Sequence, residues 1–335
     1  KLQQATSNPD HELSNALCDL DDISGRNFFH MYAILLGKRQ KIKEIHKSQA
    51  DLENFQSRER DLREQREGDM VPGETAHLDR RFGSAGGPDG VQLTQVNDEG
   101  LTYIFNKFIM KDDESRTAFG KLFNMRDSYL RTPLHYAAQY GLKSLSGLFI
   151  DYLNKLGLIP ENTSIDDVSF WGDQEGLTPL HLAIIGKHPK TTASLIMHSK
   201  TTKLTCSNLL LLAVRISSVD LLEILIDQGG IDINYSNDEN NHETSLYIAA
   251  KLNLLKTCEF LLSRNADPNL SERIFGWTPL FIAASEGYIE IVKLLIENGA
   301  VYDKADDSGW LPVEHASFRG HLEVTNILIP DRKST

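Results

Sequence analysis

Histidine is the first residue type in this chain that could do chemistry, because a neutral imidazole can act as general base, proton shuttle or metal ligand near neutral pH. His135 and His181 each end a Thr-Pro-Leu-His stretch, opened by Thr132 and Thr178. Two imidazoles at the same place in two copies of a motif do not assemble one catalytic centre; they repeat one role. Ring nitrogens bonding the backbone of an adjoining turn fit that repetition, since they satisfy groups that would otherwise stay unpaired. His30 and His315 take the same structural reading.

Other reactive groups are just as bland. Cys18, Cys206 and Cys258 are odd in number and far apart, with no Cys-x-x-Cys spacing, so they read as buried thiols in a reducing compartment rather than a disulfide frame or zinc site. No His-Glu-x-x-His, Gly-x-Ser-x-Gly or phosphate-loop motif occurs. The glycines at 83, 86 and 87 lack the following lysine of a phosphate cradle. Residues 58–67 mix both signs of charge and read as a solvated helix face. No catalytic residue, cofactor or metal is expected, and the segment reads as no enzyme.

Tryptophan offers binding rather than catalysis. Trp277 and Trp310 follow Gly276 and Gly309 and stand 33 residues apart. With Tyr302 and the carboxylates Asp303, Asp306 and Asp307 they form the candidate partner-binding set, since desolvated aromatic side chains anchor interfaces and acidic neighbours steer basic partners. Each indole could equally cover its own loop.

The elements that position these residues are repeats. Thr132-Pro133-Leu134-His135-Tyr136-Ala137-Ala138 recurs from Thr178, from Thr244 and from Thr278, where Phe281 stands in place of the histidine, with weaker copies ending at Ala213 and Ala316. The alanines 183, 213, 249, 283 and 316 are spaced by 30, 36, 34 and 33 residues. Threonine before proline starts a short inner helix. Its leucine and alanines share one face, and an apolar outer helix such as residues 289–297 follows after a glycine. Polar turn residues, as at 267–269, fill a projecting finger. One such pair cannot hide its own apolar faces, so an all-α solenoid of stacked helix-turn-helix units with finger loops is expected.

Two insertions interrupt the array. Residues 1–50 contain a divergent first unit around His30; 51–99 form a charged and glycine-rich insertion; 100–130 hold a degenerate unit; and 131–330 carry the regular repeats, with a second insertion at 151–176. Trp171 and its apolar neighbours are too many to hang free in water, so the second insertion should fold back on the stack.

Composition agrees. Of 335 residues, 40 % are apolar, and 47 acidic against 35 basic side chains leave a charge of −12, which disfavours nucleic acid as a partner. No apolar run approaches the roughly 20 residues of a membrane span.

These repeats resemble the ankyrin family. More particularly, Arg131-Thr132-Pro133-Leu134-His135-Tyr136-Ala137-Ala138-Gln139-Tyr140-Gly141, the interruption leading to Trp171, and the stretch from Thr178 to His188-Pro189 resemble the ankyrin section of fungal proteins built from an SPX domain, an ankyrin array and a glycerophosphodiester phosphodiesterase domain. That resemblance implies a non-catalytic protein-binding scaffold in a phosphate-responsive or glycerophosphodiester-metabolising protein, cytoplasmic or in the nucleus, whose chemistry belongs to another domain. It also implies two alternatives: an inhibitor module that binds a cyclin–kinase complex, or an intramolecular regulatory domain of a glycerophosphocholine phosphodiesterase. The His-Arg-Gly opening of the phosphodiesterase site is absent here.

Overall fold

A computed structural model describes residues 25–27, 29–38, 120, 122–201, 203–205, 208–236 and 241–329. Its described helices are α1 (residues 29–38), α2 (122–124), α3 (Pro133–Gln139), α4 (Lys143–Lys155), α5 (Val168–Trp171), α6 (Pro179–Ile185), α7 (Pro189–His198), α8 (Asn208–Arg215) and α9 (Val219–Asp227). They continue with α10 (Ser245–Lys251), α11 (Leu255–Ser263), α12 (Pro279–Glu286), α13 (Ile289–Glu297), α14 (Pro312–Phe318) and α15 (Leu322–Leu328). From α3 onwards, inner helices stack on inner helices and outer on outer. The all-α solenoid of stacked helix-turn-helix units is what the chain adopts.

The local causes are those the motif suggests. Thr178, Thr244 and Thr278 have extended backbones, and each hydroxyl accepts the N–H of the third helical residue, at 3.4, 3.2 and 3.2 Å. Proline opens α3, α6, α12 and α14, where its missing N–H has no helical partner to lose. In the first unit Asn27 takes the capping place, its carboxamide oxygen accepting from Phe29 and His30 N–H at 3.1 and 3.3 Å. Small alanines at 137, 183, 213, 249, 283 and 316 are wholly buried where neighbouring units meet. No described helix is long and apolar enough to cross a membrane.

The first unit sits differently from a simple reading along the chain. His30 Nε2 lies 2.8 Å from the Arg131 carbonyl, and Phe29 stacks on Phe123 at 4.4 Å, with Phe149 of α4 at 6.2 Å. A Cβ on Gly37 would fall 2.1 Å from the Tyr140 ring, so only glycine lets α1 approach the end of α3 so closely. The unit of Asn27 and α1 therefore stacks directly on the unit of Thr132, with no unit interposed. Residues 122–124, the described end of the 100–130 span, supply outer-helix packing to that first unit. The 51–99 insertion and residues 101–119 lie outside the described residues.

The second insertion is fastened at several points. α4 has 13 residues where the other outer helices have 7 to 10. After it, Ile159, Ile165 and Trp171 are buried. The Arg126 guanidinium donates to the carbonyls of Phe170 and, at 2.7 Å, Gly172. Lys200 Nζ reaches the Ile159 carbonyl at 2.8 Å, and Asp166 accepts the Thr205 N–H at 2.6 Å. Trp171→Ala should cost about 3–5 kcal/mol, as expected for deletion of a large buried ring, measured by urea unfolding; a change below about 1 kcal/mol would show that the insertion only rests on the stack.

Candidate functional site

His135 and His30 are built into junctions between units, and His181 into its own cap. His135 is fully buried. Its Nδ1 accepts the Thr132 N–H at 3.0 Å, which leaves the proton on Nε2 to donate to the Trp171 carbonyl at 2.7 Å. His30 repeats the pattern, with the Asn27 N–H at 3.2 Å on one side and the Arg131 carbonyl on the other. His181 Nδ1 faces the Thr178 N–H at 3.3 Å and the Thr178 hydroxyl at 2.9 Å. Burial pushes the His135 pKa down to about 4, against partial relief from the Trp171 carbonyl and Asp173, and lowers that of His181 in the same direction. His135 is a neutral pin between two units.

His315 does something else. The third residue of α14 is Glu314, whose carboxylate accepts the Leu311 N–H at 2.8 Å, the bond that His30, His135 and His181 take in their units. One place further on, His315 projects among aromatic rings: 5.3 Å from Trp277, 5.2 Å from Phe281 and 5.8 Å from Trp310.

Two sets of junction residues carry weaker motif signals. Asp127, Asp173 and Asp306 each stand five residues before the capping position, and each accepts two N–H groups of its own finger while its N–H bonds the carbonyl across the turn. In the finger of Thr278 the turn is one residue longer and the acid is the longer Glu272, which accepts from Ile274, Phe275 and Trp277. Three carboxylates also receive a donor from the preceding finger: Arg26 to Asp127 at 3.4 Å, Arg131 to Asp173 at 2.8 Å, and the Trp277 indole to Asp306 at 3.2 Å. The donor in each case is the residue just before the cap. Likewise His188 and His321, ten residues after their caps, reach the carbonyls of Gln139 and Ser285 in the preceding unit at 3.2 and 3.1 Å.

Trp277 therefore works within the fingers. Half-buried, it stacks on Phe281 at 5.0 Å and bonds Asp306. Burial would raise the Asp306 pKa, but the N–H groups of Trp310, the Trp277 indole and Ser308 outweigh it and hold the carboxyl below its ordinary value. Trp310 occupies the same place in the last unit and is 42 % exposed. Phe275, Trp277, His315, Trp310 and Phe318 form an unbroken chain of ring contacts 5.2 to 5.9 Å apart, with exposed rings at both ends. Gly276 allows the Phe275 finger its left-handed bend, with Asp307 against its backbone. Tyr302 and Asp303 are exposed in the loop after α13, and no hydrogen bond or ring contact ties them to either indole.

Among the described residues no group of three His, Cys, Asp or Glu comes together that could hold a metal. Cys258 is buried, and burial, with Glu259 adding to it, pushes its thiol up to about 12, far from a nucleophile. Cys18 and Cys206 lie outside the described residues.

The family description "Ankyrin repeats (3 copies)" matches residues 194–272 and 266–334, and the fold superimposes on the ankyrin repeat domain of Bcl-3 with a TM-score of 0.54 at 21 % identity, over 69 % of this chain and 93 % of that one. The chain is an ankyrin-repeat domain. Within this ankyrin array, the pinned histidines and finger carboxylates are the repeat's own joinery, and the work left to its surface is that of a non-catalytic scaffold. Among curated proteins the array is 50 % identical over 293 residues to the glycerophosphocholine phosphodiesterase GDE1 of Candida albicans, covering 88 % of this chain and 22 % of the relative. It is 25 % identical over 242 residues to the phosphate system positive regulatory protein PHO81 of Saccharomyces cerevisiae, covering 62 % of this chain and 19 % of that one. The chain thus spans about a fifth of the length of these relatives.

The neutral imidazole gives a pH test. A histidine whose folded pKa is lowered stabilises the fold fully above its unfolded pKa of 6.5, and the stabilisation drains away as pH falls from 6.5 through about 4. His135→Gln should be less stable than the parent at pH 7.5, by about 1–3 kcal/mol, yet show a shallower fall in urea midpoint across that window. Parallel pH profiles for parent and variant would mean that the His135 ring is protonated as readily when folded as when unfolded.

Proposed function

We propose that this array is the protein-docking module of a longer glycerophosphocholine phosphodiesterase-like protein, and that it binds the catalytic domain of that protein in cis through the ridge running from Phe275 to Phe318. The exposed aromatic ridge carries the reading. Elsewhere in the finger layer each ring or guanidinium before a cap is tied to the next finger, as Arg26, Arg131 and Trp277 are; Trp310 and Phe318 present 42 % and 78 % of their surface to solvent. Aromatic groups of that exposure contribute binding energy once a partner excludes water from them. Asp307 and Glu314 flank the ridge, which supports a contact surface bearing arginine or lysine.

The identity to the Candida phosphodiesterase, twice that to the Saccharomyces regulator, supports the enzyme context. The resemblance to the regulatory branch of the fungal family is the ground for a second reading, in which the same ridge holds a cyclin–kinase complex. Titration of the array with the separately purified phosphodiesterase domain tests the first. Trp310→Ala and Phe275→Ala, shown by circular dichroism and melting to be folded, should each weaken the complex by more than about 1 kcal/mol. Native affinity in both variants would remove the ridge from the contact, and absence of any complex alongside capture of a purified cyclin–kinase pair would favour the second reading.

A further inference from the structure

Leu130 occupies a backbone position that suits it badly. Its φ is 58°, in the left-handed region, where a leucine Cβ crowds the following carbonyl oxygen and glycine does not. At the same place, two residues before the cap, four other fingers use glycine: Gly25, Gly176, Gly276 and Gly309, with φ from 70° to 85°. A fifth uses His242, whose Nδ1 lies 3.4 Å from the Ser236 hydroxyl. Leucine has no polar group to offset the strain. The bonds of its backbone, from its N–H to the Asp127 carbonyl at 2.9 Å and from Arg126 to its own carbonyl at 3.0 Å, would form with glycine as well.

Packing does not account for the leucine either. Leu130 is 46 % exposed and Tyr129 beside it 49 %. Val168 of α5, against which a Cβ on Gly176 would lie at 3.7 Å in the same place of the next finger, is 45 % exposed. This finger is inside the array. The Arg26 guanidinium stands 5.7 Å from the Tyr129 ring, while Gln174 of the next finger donates to the Ser128 and Tyr129 carbonyls at 3.0 and 3.1 Å. A strained leucine left half in water directs attention to a contact outside the fold.

Charge defines what must accompany that contact. Of the three guanidiniums at this finger, Arg26 pairs with Asp127 and Arg131 with Asp173. Arg126 donates to the carbonyls of Leu130, Gly172 and Phe170, and the exposed Glu175 of the next finger pairs with none of the three. Its charge is hydrogen-bonded but not countered. A partner seated on Leu130 draws water away from Arg126, and that desolvation is costly unless the partner brings a carboxylate.

We propose that the finger of residues 127–131, with Val168, is a second docking site, which takes a segment of a partner protein that sets a leucine or aromatic side chain against Tyr129 and Leu130 and an aspartate or glutamate against Arg126. The site is independent of the ridge from Phe275 to Phe318, which calls for a basic partner.

The probe is a library of random peptides of about 12 residues, long enough to lie extended across neighbouring fingers, displayed on phage and panned on the whole chain with Leu130→Gly as the subtraction. Peptides enriched on the parent should combine a large apolar residue with an aspartate or glutamate. In fluorescence anisotropy such a peptide should bind Leu130→Gly at least about tenfold more weakly than the parent. Exchanging its acid for the matching amide should weaken binding to the parent by about tenfold too. The same Leu130→Gly variant should keep or raise the urea midpoint, because glycine relieves the left-handed strain. Trp310→Ala should bind the peptide as the parent does, so this site and the ridge stand or fall separately. Three results would each overturn the proposal: no peptide that tells the parent from Leu130→Gly, enriched peptides without a carboxylate, or a urea midpoint lowered by Leu130→Gly. So would a concentration-dependent dimer in sedimentation that Leu130→Gly abolishes, because it would make a second copy the occupant.

Discussion

A helix pair of this size cannot cover its own apolar faces, and everything else in the structure follows from that shortage. Each unit borrows its seal from the next one, so the leucine and alanine of one inner helix are buried only while the neighbour is seated. Hydrophobic contact alone would let two such layers slide. What sets their register is directional: a finger carboxylate that first closes its own turn and then takes a donor from the finger before it. Asp173 is the clearest case, almost wholly buried, holding Glu175 and Leu177 N–H groups at 2.9 Å and the Arg131 guanidinium at 2.8 Å. Burial would raise its pKa, but the Arg131 hydrogen bond and the two backbone bonds outweigh that and hold it low.

The same demand explains why residues that invite catalytic readings have no freedom to catalyse. An imidazole with one nitrogen accepting from its own cap and the other donating to the next finger has no lone pair or proton left for a substrate. In the unit of α14 the residues take other roles. Glu314 takes over the capping bond, His315 moves into the ring cluster, and Trp310 is exposed among the described residues.

The regular part of this architecture was legible in the sequence because its causes are local. Thr-Pro-Leu places a cap, a first turn and a core residue in three letters, and the alanine spacing gives the stacking period. Recurrence made the capping role of His30, His135 and His181 legible, but it misled at His315, where Glu314 takes the capping bond. Order in the stack was not: Asn27 caps like a threonine but breaks the motif, and the contact of α1 with α3 joins residues about a hundred positions apart, beyond any periodic signal. The finger ladder was missed for a different reason. Its acids recur five residues before the cap, but Glu272 stands at six because its longer side chain spans a longer turn. Trp277 was left open between a partner anchor and a cover for its own loop, because nothing in the sequence marks its indole N–H as standing where Arg26 and Arg131 place a guanidinium.

If finger-to-finger bonds fix the register of the stack, two residues in neighbouring units must be energetically coupled through one of them. The direct measurement is a double-mutant cycle on Arg131 and Asp173, using Arg131→Met and Asp173→Asn with urea unfolding at pH 7. The account predicts that the two losses overlap by about 1 kcal/mol or more, as for a charge-assisted bond with one buried partner. Losses that add to within about 0.3 kcal/mol would contradict it, because the fingers would then be independent turns and the array would be held by its apolar faces alone.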